Sequence, residues 1–144
     1  MADLVSVIIP VYRTPLSVLR NCVESLKRQQ GNGLLMEAII IFDGNPQFDS
    51  TVVEAWSSPS VAIRTATIEH AGVSAARNEG IGMVSGQWVM FVDGDDVLPD
   101  HAVERLLGFA RTRQCDVVMG AYRSVLDGAP NGETEERHYL TADK

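Results

Sequence analysis

Short runs of β-branched and aliphatic residues recur along the chain, and the stretches between them carry apolar residues at helical spacing. Residues 5–11 read VSVIIPV, 38–42 read AIIIF and 88–92 read WVMFV. Such runs lack a polar alternate position, which is the pattern of strands covered on both faces of a parallel sheet. Residues 61–68 make a more exposed strand, interrupted by Arg64, Thr65 and Thr67, and residues 116–125 are expected to make a fifth. Between the first two, Thr14 is placed to cap a helix and Pro15 to occupy its first turn. Leu19, Cys22, Val23 and Leu26 then fall at i, i+3, i+4 and i+7, the stripe of a core-facing helix, and the glycines at 31 and 33 stop it. Ser50 is expected to cap a short helix reaching about residue 57, and further helices are read over 74–84 and 99–113. The last of these carries Val103, Leu106, Leu107 and Ala110 on one face. This alternation predicts an α/β fold with a doubly wound, mostly parallel sheet. It is expected to fill residues 1–125, leaving 126–144 as a polar tail for which a hairpin, a frayed helix and disorder are all open.

At 144 residues and 45% hydrophobic, the chain can bury one core. No uninterrupted apolar run approaches a membrane span, and Met1-Ala2-Asp3 leads into the first strand without a basic segment, so neither a transmembrane helix nor a signal peptide is expected. The formal charge of −7 and the presence of only two lysines, Lys27 and Lys144, argue against nonspecific nucleic-acid binding. The same acidity means that an anionic ligand would need a metal ion or a few well-placed arginines. Cys22 and Cys115 form no CxxC pair, so no zinc or redox motif is read. Cys22, on the apolar stripe, is expected to be a buried thiol. Free thiols suit the cytoplasm, with peripheral attachment to a membrane left open. A last strand at a sheet edge also leaves homo-oligomerisation open.

Ligands of open parallel sheets bind beyond the carboxyl ends of the strands, near a switch in strand order. The residues there are Tyr12, Arg13 and Thr14 after the first strand, Asp43 after the second, Glu69 to Gly72 after the third, and Asp93-Gly94-Asp95-Asp96 after the fourth. Three carboxylates in four residues repel one another, and a hard divalent cation relieves that repulsion. Gly94 allows a tight turn or a close approach to a ligand. The plainer alternative is an acidic turn that caps the helix near Pro99, for which Asp96 alone would suffice. Arg77 reads equally as a functional residue and as a solvated or ion-paired helix residue, and His70, at the edge of the site, more readily as a plain loop histidine than as a donor contact. His101 is expected at the surface, Trp56 and Trp88 in packing, and the Glu133, Glu135, Glu136 run in solvent.

In the order SVIIPVY, a strand ending in DG, then GVSAARNEGIGMVSGQWVMFVDGDDVLPD, residues 4–125 resemble family 2 glycosyltransferases. The resemblance implies a Rossmann-like GT-A fold for nucleotide-diphospho-sugar transfer, truncated here to its nucleotide-sugar-binding half. It implies an inverting glycosyltransferase taking a sugar from a nucleotide-diphosphate donor of the UDP-sugar class to an acceptor that is a saccharide, lipid or protein. Pro10, Val11 and Tyr12 would line the base and ribose pocket, and Asp43 would meet the base edge, at the N3 proton if the base is uracil. Asp93 would contact ribose or sugar, and Asp95 would coordinate Mn²⁺ or Mg²⁺ on the diphosphate, with Gly94 between them at the donor. Arg77 would lie near the phosphates or hold the acidic loop. The sequence departs from the family at Phe42, where a second Asp is usual, and at Asn45-Pro46, where Ser-Thr is usual. The general base falls outside any motif of this chain and is expected to be absent from it. Two alternatives stand beside this reading: a non-catalytic nucleotide-sugar-binding module, and a haloacid-dehalogenase-like phosphatase with Asp93 as nucleophile. A dinucleotide-binding reading of Gly80 and Gly82 is weaker, because both lie within a helical segment.

Overall fold

The computed structural model describes residues 3–29, 31, 33–122, 125–126 and 129–130. The chain packs as two compact units, Met1–Ala102 and Val103–Lys144. In the first, β1 (Asp3–Val11), β2 (Leu34–Asp43), β3 (Val61–Ile68) and β4 (Trp88–Phe91) form one parallel sheet in the order β3-β2-β1-β4. The chain steps outward from β1 to β3, then crosses back to lay β4 on the other side of β1. The reversal puts a switch point between β1 and β4.

The two central strands are covered on both faces, and Ile8, Ile9, Ile39, Ile40 and Ile41 are all fully buried, whereas β4, expected to be buried as well, is an edge strand that leaves Val89 and Phe91 exposed. Side chains alternate between faces. On one face α3 (Val73–Gly82) lies over Ile39 and Ile41 through Ala76, with Ala66, Ile68, Met83 and Val84 around them. On the other face α1 (Leu16–Lys27) buries Leu19, Cys22, Val23 and Leu26, the stripe read from the sequence. The Arg20 guanidinium lies 5.2 Å from the Trp56 ring, which puts the segment after α2 (Ser50–Glu54) beside α1. Helices on both faces make the sheet doubly wound.

Gly80 lets α3 sit this close. A Cβ there would lie 2.5 Å from Ile8 Cγ2. We expect Gly80→Ala to lower stability by about 1–2 kcal/mol, because overpacking outweighs the helix-propensity gain of about 1 kcal/mol. Urea unfolding reads this as a lower midpoint, and an unchanged midpoint would mean that α3 rises off β1 without cost.

A polar network ties the far end of the same face. Glu37, buried on β2, accepts from Ser6 Oγ on β1, from the Ser85 N–H at 2.7 Å and from Arg64 Nη2 on β3 at 2.8 Å. Ser6 Oγ accepts in turn from the Gly86 N–H at 2.9 Å, and Arg64 also donates to the Met83 carbonyl. Burial pushes the Glu37 carboxyl up, but the bonds from Ser6 and Ser85 and the Arg64 charge outweigh it and bring the pKa down to about 2.

The structure corrects several local expectations. Thr14 does not cap α1: Pro15 stands at the N-cap with no side-chain cap, and its carbonyl accepts from Val18 and Leu19. Asp49, not Ser50, caps α2, its carboxylate accepting from Thr51 N at 2.9 Å, and α2 ends at Glu54. The fourth helix, α4, runs Ala102–Arg113, three residues later than expected at its start, with Val103, Leu107 and Ala110 buried. Residues 116–122 form no strand, and Val117, Met119 and Tyr122 are exposed. The only pairing described there is a two-residue antiparallel ladder between β5 (Val125–Leu126) and β6 (Ala129–Pro130). The Glu133, Glu135 and Glu136 run and His138 lie outside the described residues.

Candidate functional site

The carboxyl ends of β1, β2 and β4 open into one cleft of ≈ 260 Å³ beside the switch point. Pro10, Val11 and Tyr12 line it from β1, Asp43 from β2, and Asp93, Gly94 and Asp95 from the loop after β4. His70, Gly72 and Val73 complete the lining. Asp43, Asp93 and Asp95 therefore share one crevice, while Asp96 is not part of its lining. Gly94 packs tightly at its floor, since a Cβ there would lie 3.0 Å from Val11 Cγ2 and 3.6 Å from Leu19 Cδ1.

Asp43 is only 3% exposed, and both of its oxygens accept hydrogen bonds. Ala71 N–H donates to Oδ1 at 2.7 Å, and Gly72 N–H and His70 Nδ1 donate to Oδ2 at 3.0 and 2.9 Å. Gly72 aims its N–H inward by taking φ 97°, a left-handed conformation that a side chain would strain. The Ala71 N–H has the largest influence on the carboxyl. With the Gly72 N–H and His70 it holds Asp43 below the ordinary carboxylate range, against the opposing effect of burial. Beside it the Tyr12 and His70 rings stack, with centroids 4.2 Å apart and planes 10° apart. Arg13, at φ 53°, puts its guanidinium 5.0 Å from the Tyr12 ring.

Arg77 does not line the cleft. It stands on α3 behind the acidic loop, Nη2 donating to Asp93 Oδ1 at 2.8 Å, while its buried Nε has no hydrogen-bond partner among the described residues. The loop turns on a bond from Asp96 N to the Asp93 carbonyl. Burial, then the charges of Asp95 and Asp93, push the Asp96 carboxyl up. Cys22 donates weakly to the Asp93 carbonyl at 3.7 Å, and its thiol is pushed up to about 12 by burial and then by Asp96, Asp95 and Asp93. It is a packing thiol and not a nucleophile.

Among the described residues, no three His, Cys, Asp or Glu side chains form a ready-made metal cage. With Asp93 bound to Arg77, Asp95 offers the cleft an exposed carboxylate. One or two carboxylates completed by phosphate oxygens and water is how Mg²⁺-like ions bind at phosphate sites, so the donor set fits such an ion. The residue that sequence reasoning undervalued is His70. Its signal was its position after β3, on the same sheet edge as Tyr12 and Asp43.

Glycosyl transferase family 2, as a sequence model, matches residues 6–142. The chain is 34% identical over 128 residues to the uncharacterized glycosyltransferase EpsJ of Bacillus subtilis, covering 88% of this chain and 36% of that protein. It is 36% identical over 112 residues to the uncharacterized glycosyltransferase YibD of Escherichia coli, covering 78% and 32%. The chain thus spans about a third of these relatives. Among solved structures, S. aureus TarS 1-349 in complex with UDP-GlcNAc superposes with a TM-score of 0.65 at 23% identity, over 79% of this chain and 32% of that one. The complex of the same TarS fragment with UDP gives 0.67 at 22% identity, covering 79% and 33%. At that identity the likeness establishes the fold, GT-A. No helix among the described residues is long and apolar enough to cross a membrane. With the family matched along nearly its whole length, this chain belongs to glycosyl transferase family 2.

Proposed function

We propose that this domain binds the nucleotide-diphosphate sugar of an inverting glycosyltransferase, with UDP-sugars as its donor class. The observation that carries the reading is the convergence of Tyr12, Asp43 and Asp95 in one cleft at the sheet's switch point. Tyr12 offers a flat face to a base, and Asp43, kept ionised, accepts from a ring N–H. Asp95 and the loop around it would hold Mn²⁺ or Mg²⁺ against the diphosphate. Such an ion, when bound, stabilises the negative charge that develops on the leaving group. Arg77 fixes Asp93 toward the ribose or sugar. The binding of UDP and UDP-GlcNAc by TarS supports the choice of donor. The acceptor and the general base that would deprotonate it are assigned to no described residue. The phosphatase alternative needs Asp93 free to attack, and its carboxylate is held by Arg77.

Isothermal calorimetry with UDP tests this. Binding is expected with Mn²⁺ or Mg²⁺ and is expected to vanish on chelation. Absence of UDP binding in the presence of either ion, or phosphatase turnover abolished by Asp93→Asn, would overturn the reading.

A further inference from the structure

We infer that His70 is a placeholder for the nucleobase: its imidazole holds the Tyr12 ring face and the Asp43 carboxylate until the donor displaces it. The inference rests on the donor reading above. It starts from what a base needs here, a flat ring to stack on and a carboxylate to accept an N–H. Both needs are already met by one side chain. The imidazole stacks on Tyr12 at 4.2 Å and 10°, the offset-parallel geometry of a bound aromatic. Its Nδ1 lies 2.9 Å from Asp43 Oδ2. An ionised carboxylate only accepts, so Nδ1 carries the proton and mimics a ring N–H donor.

Asp43 can exchange this bond and no other cheaply. Its other two donors are the backbone N–H groups of Ala71 and Gly72, fixed at the start of α3. The His70 side chain, by contrast, is 54% exposed. It also has somewhere to go. It borders a second cleft of ≈ 480 Å³ lined by Gly44, Asn45, Thr67, Ile68 and Glu69. A base that replaces the imidazole therefore finds Asp43 and Tyr12 already in position, and its measured affinity is reduced by the fraction of molecules in which His70 occupies the site.

The test compares UDP binding, in the presence of Mn²⁺, by the wild-type chain and by His70→Ala. If the imidazole fills the site in about 70–90% of molecules, the variant binds UDP about threefold to tenfold more tightly. Equal or weaker binding by a folded His70→Ala protein, with the wild type binding, would show that His70 is a bystander or a direct reader of the base and would overturn the inference alone. Absence of UDP binding by both proteins would sink the donor reading itself, and the inference with it. A readout on the wild-type chain covers failure of the variant to fold. With ¹⁵N-histidine labelling, UDP is expected to move the His70 ring resonances to values of a solvated imidazole, and an unshifted His70 at saturating UDP overturns the proposal.

Discussion

Asp95→Asn is expected to lose about a hundredfold or more in Mn²⁺-dependent UDP affinity while keeping the wild-type melting temperature. Asp95 is exposed in the cleft, and among the described residues it makes no hydrogen bond or ion pair, so its removal leaves no partner stranded. An amide keeps one oxygen but gives up the charge that holds a hard cation. Because no set of three side-chain ligands exists among the described residues, little else in the protein can compensate. Asp96→Asn is the internal control. Its carboxyl is pushed up by burial and by its two neighbours, so neutralising it relieves repulsion, and stability is expected to hold or rise. Calorimetry with and without Mn²⁺ reads the first effect and thermal unfolding the second. Retention of metal-dependent UDP binding by Asp95→Asn would remove Asp95 from the metal's coordination.

The second large effect concerns acid stability. Glu37 has a carboxyl lowered from 4.5 to about 2 in the folded chain. A depressed folded pKa contributes stability that is full above the unfolded value and is lost as pH falls through the folded one. The difference in unfolding free energy between wild type and Glu37→Gln is therefore expected to be level above about pH 5 and to shrink toward zero as pH falls from 4.5 to about 2. The separation of the two values corresponds to about 3 kcal/mol at most. Arg64 is 46% exposed, so its share is screened by solvent and a measured 2–3 kcal/mol is the reasonable expectation. Glutamine keeps one acceptor oxygen for Ser6 and the Ser85 N–H but presents an NH2 to Arg64, so it removes the ion pair together with the charge. Urea unfolding of both proteins between pH 7 and pH 3 checks this. A difference that stays constant with pH would mean that Glu37 acts by shape alone.

The sheet was legible because its central strands announce themselves: runs such as AIIIF have no polar residue to turn toward water. The convergence of Tyr12, Asp43 and Asp95 was legible for a related reason, since parallel strands send all their carboxyl ends to one edge. What the sequence hid depends on direction or register. Asp43 is met by the N–H groups of Ala71 and Gly72 across a turn in which Gly72 takes a left-handed φ, and a glycine in the sequence permits that turn without saying which carboxylate it faces. The Ser6–Glu37–Arg64 contact needs three strands aligned residue for residue, a relation between distant segments. At the caps, Thr14 and Ser50 had the right chemistry, but their neighbours Pro15 and Asp49 took the positions. The expected strand over 116–125 shows the same limit, since an apolar, β-prone run becomes a strand only where another strand's edge receives it.

One helix joins the two halves of the site. The backbone at the start of α3 grips Asp43, and five residues on, Arg77 grips Asp93. At 1.5 Å per residue that interval is about 7.5 Å along the axis. A segment of regular helix is among the least compressible spacers a protein can make. The gap between the side chain that would read the base and the loop that would face the diphosphate is thus gauged by a rigid rod, and a ligand that shifts one of these grips moves the other with it.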